Sequence, residues 1–83
     1  MHPMVTNNDL VDWVVEALTE LGGTGSILQV SRAVWRRHED DLRDSGDLFY
    51  TWQYDLRWAG QKLRDSGRLL SVDGNKNLPW TLR

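Results

Sequence analysis

The sequence predicts an α+β fold, mainly α, and three features of its 83 residues carry that prediction. Two apolar stripes recur at helical spacing in the first half. A longer helical stretch follows and stops at Gly67. Residues 68–83 then alternate in the manner of a β-hairpin around a polar turn. The expected order is helix, short extended link, helix, helix, hairpin. That is the order of a winged helix-turn-helix, three helices followed by a C-terminal β-hairpin wing.

The first helix is expected from Asn8 to Leu21. Asn7 or Asn8 can cap it, and Asp9 and Asp12 suit its positive end. Val11, Val14, Val15, Leu18 and Leu21 form one stripe, and Gly22-Gly23 stops it. "TGS" reads as an extended link, long enough for a strand of two or three residues. Ser26 caps the second helix, whose inner face holds Ile27, Val30, Val34 and His38. The polar run "EDDLRDSGD" fits an extra helical turn ended by Gly46. The third helix runs from Leu48 to Ser66. "LRDSG" occurs at Leu42–Gly46 and again at Leu63–Gly67, and both copies read as helix stops with glycine in the left-handed region. In the hairpin, "RLLSV" and "LPWTLR" flank the turn "DGNKN". Pro79 lacks a donor, which predicts that the last strand lies at a sheet edge.

Size and composition bound the function. One domain over residues 1–83 is expected, with 1–6 as a mobile tail; this length is near the lower limit for a chain that buries its own core. No apolar run approaches the roughly 20 residues of a membrane span. "MHPMVTNND" lacks the charged-then-apolar design of a signal peptide. A cytoplasmic protein is expected. There is no cysteine, which excludes disulfides, thiolate zinc sites and thiol nucleophiles. The net charge is −2, but it is unevenly spread. Residues 1–31 carry Asp9, Asp12, Glu16 and Glu20 and no Lys or Arg. Residues 57–83 carry Arg57, Lys62, Arg64, Arg68, Lys76 and Arg83 against Asp65 and Asp73. Such an asymmetry fits one basic face on a nearly neutral body.

The third helix divides into two faces. At about 100° per residue, Phe49, Trp52, Leu56, Ala59 and Leu63 share a sector of about 80°, the buried side. Gly60 lies at its edge, where a glycine suits close approach of another helix. Tyr50, Gln53, Tyr54, Arg57, Gln61 and Arg64 lie on the other side, with no acid among them. Arg and Gln make bidentate contacts to guanine and adenine edges, and Tyr reaches phosphates or stacks. The leading reading is a face that enters the major groove of DNA. A protein-binding face and a plain solvated face are the alternatives. Arg68, and Lys76 at the wing turn, are candidate phosphate contacts; Arg32 and Arg36 on the second helix are further ones.

Two tryptophans sit off the core sectors. Trp13 is at the edge of the first stripe and is a candidate self-association contact. Trp58, beside Lys62, either packs against the wing or first helix or meets a partner. Trp35 and Trp80 are expected in the core. Chemistry finds little support. His2 lies in the expected tail and His38 near a helix end. Glu39, Asp40 and Asp41 are consecutive and share no helix face, and "GGTG" lacks the Lys and Ser/Thr of a phosphate loop. No catalytic residue, metal site, cofactor, membrane contact or small-molecule substrate is expected.

Several segments resemble the N-terminal winged-helix domain of Mrr-type restriction endonucleases. They are "ALTELGG", "SILQVSRAV", "YDLRWAGQKLRDSGRLL" and "LPWTL". The matching positions are Leu21-Gly22-Gly23, Arg57-Trp58-Ala59, Leu63, Gly67 with Leu69, and Trp80 with Leu82. The resemblance covers nearly the whole chain, and its motifs are mostly structural. It implies a winged-helix fold and a double-stranded DNA partner, held by the third helix and the wing. It also implies a regulator or targeting part of a defence system. The 83 residues hold no nuclease domain, so cleavage is not carried over. The resulting expectation is a non-enzymatic DNA-binding module. The alternative is a dimerisation or protein-interaction adaptor with Trp13 and Trp58 at the contact.

Overall fold

The computed structural model describes residues 5–71 and 79–83. Its elements in order are α1 (Asn7–Glu20), β1 (Thr24–Gly25), α2 (Ile27–Arg43), α3 (Leu48–Asp65) and β2 (Trp80–Thr81). The described chain is thus mainly helical, with three helices and a small antiparallel sheet. The expected turn at 73–77, Lys76 included, lies outside the described residues.

The helices begin where local side chains can satisfy their free N–H groups. In α1 the cap is Thr6, one residue before the expected asparagines. The Thr6 N–H donates to Asp9 Oδ2 at 2.9 Å. Val5, just before the cap, packs against the core, so residues 5 and 6 belong to the fold rather than to a tail. Its spacing to buried Leu10 is that of a hydrophobic staple. In α2 the cap is Ser26, as expected. The Gln29 N–H donates to Ser26 Oγ at 3.2 Å, and the Ser26 N–H donates to Gln29 Oε1 at 2.9 Å. This reciprocal capping box satisfies two donors at once.

The second helix is longer than its apolar stripe suggests. It continues through "EDDLR" to Arg43, with a break at His38 (φ −129°, ψ 22°). Beyond the break, Leu42 is again fully buried. Both copies of "LRDSG" end helices, with Gly46 at φ 68° and Gly67 at φ 79°. At Gly67 the chain reverses tightly: Arg68 N–H and Leu69 N–H both donate to the Leu63 carbonyl, at 2.8 and 3.2 Å.

The sheet closes the chain across its length. Thr24 pairs with Thr81 and Gly25 with Trp80. Their threonine hydroxyls meet at 3.0 Å. On the other side, Leu70 N–H donates to the Thr81 carbonyl at 2.9 Å, and Leu69 forms an antiparallel bridge with Leu82. The last strand therefore lies between two neighbours and is not an edge strand. Pro79 does not prevent this, because the ladder begins one residue after it, at Trp80.

The core gathers Leu10, Val14, Leu18, Val30, Val34, Leu42, Leu56, Leu63 and Leu69 around α1 and α3, all at or near zero exposure. Trp13, Trp52 and Trp80 join them. The atoms nearest the open side of Gly60 are those of the Trp80 ring. A Cβ there would lie 2.8 Å from Trp80 Cη2. A close approach was expected at Gly60, and the nearest group there is Trp80 of the C-terminal strand.

Candidate nucleic-acid interface

Burial of one side of α3 determines which side remains open. Leu48, Trp52, Leu56, Ala59, Gly60 and Leu63 face inward. Phe49, expected with them, is half-buried and stacks on Trp35, with centroids 6.4 Å apart. Tyr50, Gln53, Tyr54, Arg57 and Gln61 all lie exposed on the outward side. The two tyrosines are among the most open large side chains, at 84% and 79%. The helix brings these five together along about three turns, as the wheel requires.

Two neighbours modify that face. Asp65 stands one turn beyond Gln61 and accepts its Nε2–H at 2.9 Å. An acid therefore adjoins the C-terminal end of a face read as free of acids. Arg64 is not on the open face: it is half-buried, with its guanidinium 5.3 Å from the Trp80 ring centroid. Its Nε is buried without a hydrogen-bond partner among the described residues. The Trp80 ring thus lies against Gly60 and beneath Arg64 one turn later, and Arg64 serves as a cover for that ring. Periodicity could not find this, because Trp80 is 16 residues away in sequence.

The remaining cations differ in whether they are paired. Arg36 Nη2 lies 2.6 Å from Glu20 Oε2. Arg37 lies 3.5 Å from Glu16 and 3.8 Å from Glu20. Arg43 bonds Glu39 at 2.8 Å and covers Trp35. The acidic α1 and the basic stretch of α2 therefore neutralise each other, and Arg36 is engaged rather than free for phosphate. Lys62 sits 5.4 Å over the Trp58 ring. Arg32, Arg57 and Arg68 are exposed and form no ion pair among the described residues. These exposed pairs contribute little to stability. Their consequence is where positive charge remains available.

The tryptophans resolve differently from their sequence positions. Trp13 is buried at 9% exposure and stacks on His38, centroids 3.8 Å apart and planes 6° from parallel. It is not an open self-association contact; the break at His38 supplies the ring that covers it. His38 in turn has Glu16 Oε2 and Asp41 Oδ2 each 3.5 Å from a ring nitrogen. Trp58 is half-buried and packs against the core. Trp35 is also half-buried and stacks on Trp52 at 5.7 Å.

A groove between α2 and α3 was not visible in the sequence. It is an open surface groove of about 470 Å³, lined by Leu28, Ser31, Arg32, Trp35, Phe49, Trp52 and Gln53. Among the described residues, no group of three or more His, Asp or Glu could hold a metal ion. No helix among them is long and apolar enough to cross a membrane.

No family model, curated protein or solved structure matches the chain.

Proposed function

We propose that this chain is a non-enzymatic winged-helix module that binds double-stranded DNA. In this reading α3 enters the major groove, and the C-terminal strands and their connection lie on the adjacent backbone. The order α-β-α-α-β, with β2 paired to β1, supports the fold assignment. One observation carries the function. The outward side of α3 presents Tyr50, Gln53, Tyr54, Arg57 and Gln61 together, with Arg57 in no ion pair among the described residues, while Arg36, Arg37 and Arg43 are held by glutamates elsewhere. Arg57 and Gln53 would reach base edges, Tyr50 and Tyr54 the sugar-phosphate rim, and Arg68 a flanking phosphate. The expected Arg64 contact is withdrawn from this set. The resemblance to the Mrr-type N-terminal domain supports the same partner.

A low-salt gel shift with random duplex, single strand and methylated duplex tests this directly. Duplex binding that falls steeply with added salt is the expected outcome. Arg57→Ala should weaken it with the fold intact by circular dichroism. No duplex binding at low salt would remove the reading.

A second reading rests on the same tyrosines. Two open tyrosines on one helix face also suit a protein partner, since Tyr is enriched in interface cores. Light scattering on wild type and on Tyr50→Ala/Tyr54→Ala separates the two. A mass that falls to monomer in the double variant, without duplex binding in wild type, would favour it.

A further inference from the structure

The α2–α3 groove is an open, aromatic-lined cleft with Arg32, which has no ion pair among the described residues, at its rim. Trp35, Phe49 and Trp52 form its walls, and Leu28 stands beside it at 57% exposure. Its volume of about 470 Å³ falls within the range of small-molecule sites. Arg32 is the charged residue that lines it, and no acid does. One turn further along α2, Arg36 and Arg37 are tied to Glu20 and Glu16, but Arg32 has no ion pair among the described residues. Gln53 adds a neutral donor on the α3 wall, while the Ser31 hydroxyl on the α2 wall already donates to the Ile27 carbonyl at 2.7 Å. Aromatic walls, the Gln53 amide and an Arg32 guanidinium with no ion pair among the described residues are complementary to a planar aromatic body bearing an anionic group.

We propose that this groove is a binding site for a small planar aromatic carboxylate. The ring system lies against the parts of Trp35 and Phe49 that line the groove, the two rings being stacked on each other and covered elsewhere by Arg43, and the carboxylate pairs with Arg32 at the rim, where a guanidinium can offer two parallel N–H donors. Gln53 lines this groove and also belongs to the outward side of α3, so an occupant would touch a residue of that face. The site itself does not depend on the DNA reading.

The test is calorimetric titration of the whole 83-residue chain with three probes of one shape: 2-naphthoate, 2-naphthamide and 2-naphthylmethylammonium. The anion should bind tightest, by about tenfold over the neutral amide, the worth of one charge-assisted hydrogen bond. Arg32→Gln changes an exposed side chain and should remove that preference while circular dichroism stays unchanged. Backbone amide and indole NMR shifts should move at Leu28, Trp35 and Gln53. Arg57→Ala, which tests the DNA face, should leave naphthoate binding intact, so the two readings can fail separately. Equal affinity for anion and amide would overturn the proposal. So would a preference that survives Arg32→Gln, or shifts centred away from the groove. A dimer by light scattering whose interface covers Leu28 and Trp35 would also overturn it, by assigning the slot to a second copy.

Discussion

Gly60→Ala sets two effects of known sign against each other. In a helix interior the change gains about 1 kcal/mol, because alanine loses less backbone entropy. The added Cβ, however, would lie 2.8 Å from Trp80 Cη2 and 3.0 Å from Cζ2. The ring has little room to yield. Trp80 is 7% exposed, its backbone is held in the central strand, and Arg64 lies over it. Overpacking of this kind costs about 1–3 kcal/mol. The net expectation is a loss of about 0–2 kcal/mol, or a melting temperature lower by up to roughly 8–16 °C for a domain of this size. Urea denaturation can isolate the clash by a double-mutant cycle. In a Trp80→Leu background the ring is gone, so the same Gly60→Ala change should stabilise by about 1 kcal/mol. The coupling between the two sites should then be about 1–3 kcal/mol. If Gly60→Ala stabilised wild type and the Trp80→Leu variant equally, the reasoning would be refuted, and Gly60 would be an ordinary helix glycine.

Three further outcomes follow from the packing. Ser26→Ala removes the acceptor for the Gln29 N–H and should cost about 1 kcal/mol in chemical denaturation; no measurable change would mean the capping box is not formed. Trp13→Ala empties a buried, stacked site and should cost about 3–5 kcal/mol, enough to threaten the fold by circular dichroism. A stable variant that merely loses a dimer by light scattering would instead restore Trp13 as an interface residue. Gly67→Ala forces a side chain into φ 79° and should cost about 1–2 kcal/mol in a thermal melt, because no rearrangement of neighbours relieves a backbone strain; an unchanged melt would contradict that stop.

The sequence by itself determined what depends on near neighbours along the chain. Helical periodicity, the Ser26 cap and the glycine stops rest on interactions within a few residues. They placed α1, α2 and α3, the short β1, and the division of α3 into buried and open sides. The one-residue shift of the first cap from Asn7 to Thr6 is of the same local kind. Tertiary structure decided what depends on distant residues. Thr24 and Thr81 meet across 57 positions, and that pairing makes the last strand central despite Pro79. The Trp80 ring fills the space Gly60 leaves and takes Arg64 off the open face. His38, at the break in α2, covers Trp13, and the glutamates of α1 occupy Arg36 and Arg37. The groove of Leu28, Trp35 and Phe49 exists only where two helices cross. A helical wheel reports the face a side chain points from, but exposure and free charge depend on what the rest of the chain brings to that face.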